Sequence, residues 1–177
     1  MKNKLSSLVI SGIFLTCTGM AHAANADTAS TLTISGTVKD DYATCAVNMS
    51  ESSVSIIETP DALIKQGDKA TNPKVIHLSV DGKCSELVTE GKIAYKILGV
   101  ADNADGTALA NSLTDETAAK GLGIGIFNSD NKVVSVNTGL LIANEDTTFG
   151  LQLVQLNHQE AVAGNIYATA SVQIERL

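Results

Sequence analysis

A chain of 177 residues with 12 basic and 19 acidic side chains, no tryptophan, three tyrosines and three phenylalanines is long enough for one domain with a real core. Its formal charge of -7 repels a phosphate backbone, and no Lys/Arg cluster offsets it, which excludes nucleic acid as a partner. The scarcity of aromatic rings weighs against a sugar site built by stacking.

The first 23 residues read as an export signal. Lys2 and Lys4 form the charged start, an apolar run extends from about Leu8 to Leu15, and Ala21-His22-Ala23 is a small-x-small cleavage site. A second such triplet, Ala24-Asn25-Ala26, offers an alternative cut before Asp27. The apolar run is too short to span a bilayer, and no later segment approaches ~20 apolar residues, so no membrane insertion is expected. Cys17 lacks the leucine expected three residues before a lipid-modified cysteine, since Phe14 stands there. Cleavage after Ala23 leaves 10 basic against 19 acidic residues, a charge near -9, and two cysteines, Cys45 and Cys84. In an oxidising compartment the two are expected to bridge.

The mature chain opens on Ser30 to Lys39, where Leu32, Ile34 and Val38 fall on one parity around Gly36 while Thr31, Thr33, Ser35 and Thr37 take the other. A period of two predicts a strand with one buried face. Such a strand can complete its own domain, giving a monomer, or leave to complete a neighbour, giving a polymer.

Cys45–Met49 and Val54–Ile57 read as short β pieces, followed by a polar loop from Asp61 to Pro73 with no pattern tied to chemistry. Lys74–Val80 alternates, with Ile76, Leu78 and Val80 on one face and His77 and Ser79 on the other. Lys92–Gly99 is the next strand. Ala101 to Gly106 has a faint likeness to a calcium loop, but Ala101 stands where the first carboxylate belongs and Ser112 where the bidentate acid belongs, so a solvated turn is expected. Gly121–Phe127 places Gly121, Gly123 and Gly125 on one face and Leu122, Ile124 and Ile126 on the other. This glycine spacing is not the dinucleotide fingerprint, and close backbone approach explains it better.

A hairpin turn at Asn128–Asn131 returns through Val133–Val136, Leu140–Ile142 is a further piece, and Thr147–Leu156 is a long strand. Asn165 to Leu177 alternates for its whole length, with Ile166, Ala168, Ala170, Val172 and Ile174 inward. No convincing amphipathic helix appears. The pattern predicts an all-β sandwich, formally short of one partner beside its last strand.

A search for catalytic residues finds little. A nucleophile needs a base, and the mature chain has only His77 and His158, each reading as a surface residue without the companions a metal site needs. No enzyme activity, cofactor or metal is expected.

Thr33-Ile34-Ser35-Gly36-Thr37-Val38 leading to Cys45-Ala46-Val47, the second cysteine in Leu78–Cys84, the block Gly121–Phe127 through Thr138-Gly139, and Gly164 fourteenth from the C-terminus together resemble the major pilin subunits of type 1-like chaperone-usher fimbriae of Gram-negative bacteria, including the long polar fimbrial group. The resemblance implies an incomplete immunoglobulin-like β-sandwich, the pilin fold, lacking its last strand and completed by a donor strand from another chain. It implies a signal peptide over 1–23, a donor extension over 24–40 with Leu32, Ile34, Gly36 and Val38 as donor face, and a pilin domain over 41–177. Ile166, Ala168, Ala170, Val172, Ile174 and Leu177 would form the acceptor groove and chaperone contact. The implied partners are other copies or related pilins, a periplasmic chaperone and an outer-membrane usher, with export through the periplasm to a surface fimbrium that supports adhesion. Arg176 replaces the family's common penultimate tyrosine, and about two extra residues lie between Gly36 and Cys45. A minor adaptor or one-domain adhesive subunit is the alternative. An exported β-sandwich enzyme would need a carboxylate pair or histidine cluster that the sequence does not offer.

Overall fold

The computed structural model describes residues 45–177. The predicted export signal, the extension carrying Leu32, Ile34, Gly36 and Val38, and the start of the predicted domain at 41 lie outside the described residues.

The described residues form nine strands: β1 (Val47–Met49), β2 (Ile64–Lys65), β3 (Lys74–Val80), β4 (Ile93–Gly99), β5 (Leu109–Ala110), β6 (Leu122–Phe127), β7 (Leu140–Ile142), β8 (Thr147–Gln155) and β9 (Ala170–Arg176). They build two sheets. The larger runs β1-β3-β8-β6-β5, with β2 beside β8, and the smaller runs β7-β4-β9. Every pairing is antiparallel except that of β2 with β8, so each main strand can bury one face and solvate the other. The inner faces meet in a core of Ile76 and Leu78 from β3, Ile93, Tyr95 and Ile97 from β4, Ile126 from β6 and Phe149 from β8.

The outer face of the larger sheet is covered as well. Ala70, Ala108, Phe127, Val154 and Leu156 form a second buried cluster, with Ile64, Ala104 and Val133 packed against it. The segment from Asp61 to Pro73, unremarkable in sequence, is the cover. Gln152, 1% exposed, holds it down by accepting from the Thr71 and Asn72 amides at 3.0 and 3.2 Å and donating to the Thr71 hydroxyl at 3.0 Å. A buried amide so completely partnered fixes the loop to one place on the sheet.

The glycine face of β6 looks onto this cover. A Cβ on Gly125 would stand 2.8 Å from the Phe127 ring and Val154, and one on Gly123 would meet the Leu109 carbonyl and Leu156 at 3.0 Å. The expected close backbone approach is met at Gly123, by the Leu109 carbonyl, but not at Gly125, where side chains fill the space instead.

Four local expectations are corrected. Val133–Val136 forms no strand but a single bridge from Val133 to Phe127, because the turn is tied by Asn128 Oδ1 accepting from the Asp130 and Lys132 amides and the chain then dives into the core at Val134 and Val136. Asn165–Leu177 is a paired strand only from Ala170, since residues 165–167 bond instead to the 111–119 loop. Ser85–Thr89 is a five-residue helix, α1, too short to show a sequence period. The turn at 101–106 is not wholly solvated, because Asp102 is 6% exposed.

Asp102 organises that turn. Its carboxylate accepts from the amides of Ala104, Asp105 and Ala108 at 2.8–3.0 Å and from Gln66 Nε2 at 2.9 Å. Burial pushes its pKa up, but the bonds from Ala108, Ala104, Gln66 and Gly106 outweigh it and hold the group below the ordinary aspartate range. A folded-state pKa below the unfolded value of about 3.9 contributes stability present above that pH and lost as pH falls through the folded value. Asp102→Ala, which leaves these donors unpaired, is expected to cost about 2–3 kcal/mol near neutral pH and to flatten the loss of stability in acid. Urea unfolding at pH 7 and at pH values below 4 measures both.

Candidate functional site, an open groove between two sheet edges

β9 is an edge strand. It pairs with β4 along all seven of its residues, from Ala170↔Gly99 to Arg176↔Ile93, and its other side has no strand neighbour among the described residues. β1 is the edge of the facing sheet. At one end the two edges close together: Arg176 Nη2 reaches Cys45 Sγ at 3.8 Å, Cys45 is disulfide-bonded to Cys84, and the Leu177 amide donates to the Lys92 carbonyl at 3.0 Å.

Toward the other end they part. A groove of about 400 Å³ opens there, walled by residues 49 and 51–56 on one side and 166–170 with Val172 on the other. Its floor is the inner face of the sandwich: Ile76, Ile97, Leu109, Ile124, Phe149, Leu151 and Leu153.

The first wall has a strand's alternation without a strand's bonds. From Ser53 to Glu58 the chain alternates, with Val54, Ile56 and Glu58 half-buried and Ser53, Ser55 and Ile57 exposed, yet it joins neither sheet. The sequence marks this piece as β; the ladder it would need is missing. The second wall alternates in the same way. Ile166, Ala168 and Val172 are half-buried, while Tyr167 and Thr169 are exposed, as is Ala170 although it shares the inward parity. Met49, on the inner parity, is 44% exposed. Most telling are Ile124 and Leu151. They lie on β6 and β8, in the interior of the larger sheet and on its core-facing side, and both remain partly exposed. Central inward positions are normally covered completely, so the core is open at this place.

The groove's chemistry is that of a strand seat. Its lining is mostly aliphatic, with Ser52, Ser53, Ser55, Thr169 and Tyr167 at the rim. The carboxylate at its mouth, Glu51, is ion-paired with Lys74 at 2.8 Å. Just beyond the first wall, Glu58 has its pKa raised by burial, opposed by a hydrogen bond from the Leu153 backbone. Elsewhere, His77 Nδ1 lies 3.0 Å from Asp146 on an exposed face, and His158 sits in a turn at φ 62°. Among the described residues no group of three or more His, Cys, Asp or Glu is placed to hold a metal ion, and no helix is long and apolar enough to cross a membrane.

The residues singled out from sequence fall out as follows. Cys45 and Cys84 are bonded to each other. Ile166, Ala168, Ala170 and Val172 line the groove. Ile174 does not line it but packs on the main core, and Leu177 is 58% exposed beyond it. Sequence reading missed the opposite wall and the floor, for which the parity of Val54 and Ile56 was the available signal.

The sequence profile of the fimbrial protein family matches residues 32–175. The chain belongs to the fimbrial protein family. No curated protein matches the sequence. Among solved structures, this fimbrial protein is similar to the P pilus rod subunit PapA, at 13% identity and a TM-score of 0.55 over 83% of this chain and 99% of that one. It is also similar to a subunit in a chaperone-usher pilus structure concerned with rod uncoiling, at 14% identity and a TM-score of 0.51 over 85% of this chain and 96% of that one. At such identities the likeness speaks for the fold, an all-β sandwich of two sheets shared with pilus subunits.

Gly164, one of the positions that carried the family resemblance, holds the second wall in place. A Cβ there would stand 2.5–2.6 Å from the Ala119 amide and the Thr117 carbonyl, two groups that also bond to Asn165. In the fimbrial protein, Gly164→Val is expected to force residues 164–169 off the 117–119 loop, with a cost of about 1–3 kcal/mol. The check is a melting temperature lowered by several degrees.

Proposed function

We propose that this fimbrial protein is a structural subunit of a surface pilus, polymerised by insertion of the N-terminal strand of one copy into the groove of the next. The observation that carries the reading is the open core at Ile124 and Leu151, beside a β9 edge with no strand neighbour among the described residues. Leu32, Ile34 and Val38 supply an apolar face of the right parity, and Gly36 suits a shallow point in the groove. Burying the three large side chains contributes roughly 5–9 kcal/mol, and a new ladder on β9 adds to it. An uncovered edge of this kind invites aggregation, which makes a temporary cover during export a physical necessity. A periplasmic chaperone lending a strand, followed by replacement at an outer-membrane usher, meets that need. The domain division follows: signal over 1–23, donor extension over 24–40, pilin domain over 41–177.

The fimbrial family and the aliphatic groove lining both favour a role without catalysis. The choice between a shaft subunit and a one-domain adhesive or adaptor subunit turns on the N-terminal strand, since a subunit that both donates and accepts propagates a shaft.

The test uses the mature chain lacking residues through Lys39, mixed with a synthetic peptide covering Asp27–Lys39. A large rise in melting temperature, lost when the peptide carries Ile34→Asp, is the expected result. A truncated domain that is already stable, monomeric and indifferent to the peptide would rule the reading out.

A further inference from the structure

The groove has one closed end and one open end, and the chain leaves the described domain at the closed end, through Cys45. There Arg176 reaches Cys45, the disulfide anchors Cys45 to Cys84, and Leu177 is bonded to Lys92. A donor strand therefore cannot lead to its own folded body through that end: β1 and β9 have come together, and the acceptor's own N-terminal segment departs from the same place. The body of the donating copy must sit at the other end, where residues 166–168 form the wall.

Exposed apolar side chains stand at that end. Val100 is 70% exposed and Tyr167 57%. They belong to one continuous rim, because the Ala110 amide donates to the Val100 carbonyl at 2.8 Å, the Ser112 amide donates to the Tyr167 carbonyl at 2.8 Å, and the Tyr167 amide donates to Asn111 Oδ1 at 3.0 Å. Tyr167 also lines the mouth of the groove, so the rim is continuous with the strand seat. We infer that the Val100–Tyr167 rim is a second contact between successive subunits, on which the body of the donating copy docks.

The inference rests on the strand-insertion reading of the previous subsection and adds a direction and a surface to it. Its physical basis is length. The donor face from Leu32 to Val38 spans seven residues, as does the wall from Ile166 to Val172. With Val38 at the open end, only residues 39–44 separate the seated strand from the donor's Cys45, a tether of at most about 25 Å. A body the size of residues 45–177 has a radius of gyration of about 14 Å, so a tether this short keeps it within reach of the rim. Tyrosine at such a place is a common anchor, large and apolar with few torsions to freeze. The contact is head-to-tail, pairing unlike ends of the same chain, which is the arrangement that gives open filaments.

The experiment uses full-length chain exported and assembled in cells, with a photo-crosslinking phenylalanine analogue placed at Tyr167 in one strain and at Thr169, which lines the groove, in another. The Tyr167 probe is expected to join two copies through residues 39–44, the α1 region up to Lys92, or the C-terminal residues 176–177 of the second copy. The Thr169 probe is expected to capture residues 31–39. Capture at Thr169 with no intermolecular product from Tyr167, or with products only within 31–38, overturns the docking surface and leaves strand insertion standing. Failure at Thr169 overturns strand insertion, and the docking surface with it.

Discussion

Ile34→Asp in the otherwise intact mature chain is expected to abolish fibre formation. The substitution forfeits about 1.5–3 kcal/mol of apolar burial and asks a carboxylate to enter a seat whose floor is Ile124, Leu151 and Phe149. A carboxylate there either stays charged without a partner or takes up a proton, and each route costs several kcal/mol. Together the terms exceed about 5 kcal/mol, more than a thousandfold in the affinity of one subunit for the next. The polar parity tells a different story. Thr33→Asp changes a residue of the opposite parity in the sequence and is expected to leave fibres largely intact. Electron microscopy of surface fibres and the ladder of multimers on denaturing gels without heating measure both variants. Fibres of normal length from the Ile34 variant would mean the N-terminal strand is not the one that fills the groove.

Cys45→Ser with Cys84→Ser is expected to give the largest loss in stability of the domain itself. The bridge spans 39 positions, and closing a loop of that length restrains the unfolded chain by about 4 kcal/mol in the chain-entropy account. That is a large part of the ~5–15 kcal/mol typical of a whole domain. The position of the bond adds a functional consequence. Cys45 is the last described residue before the N-terminal extension, and the bond fixes it beside Arg176 at the closed end of the groove. Without it, β1, three residues long, is held to β3 by the pairs Val47↔Val80, Asn48↔Ser79 and Met49↔Leu78 and by the flanking bonds of Asp81 to Ala46 and of Ser50 with His77. Freeing its start loosens the wall from Met49 onward. The measured outcome is a lower denaturant midpoint for the double variant, and a wild-type protein that approaches the same midpoint in reductant. An unchanged midpoint would show that the bond constrains nothing the fold does not already hold.

Much of the sandwich was legible because strands that bury one face must alternate, and alternation survives in the residue string. β3, β4, β6 and β8 were readable in this way, and so was the inward parity of Ile166, Ala168 and Val172. Other features had no one-dimensional trace. The cover over the outer face depends on Gln66 and Gln152, with Gln152 bonded to Asn72 and Thr71, 80 and 81 positions away, and Gln66 bonded to Asn157, 91 positions away. Polar residues with distant partners look like loop until the partners are seen. Asp102 was passed over for the same reason, since the donors that bury it include Gln66, 36 positions earlier.

The sequence alone determined that the chain is acidic and all-β, that Cys45 and Cys84 are the two cysteines beyond its predicted export signal, and that its candidate donor and wall residues have matching parity. These are properties of spacing and composition, which each segment carries by itself. Only the tertiary structure decided that the segment from Ser53 to Glu58 stays outside both sheets, that β9 runs along an edge, and that one end of the resulting groove is closed by Arg176, Cys45 and the disulfide. Whether a strand has a neighbour depends on where the other strands go, and a gap between two edges belongs to no segment of the chain.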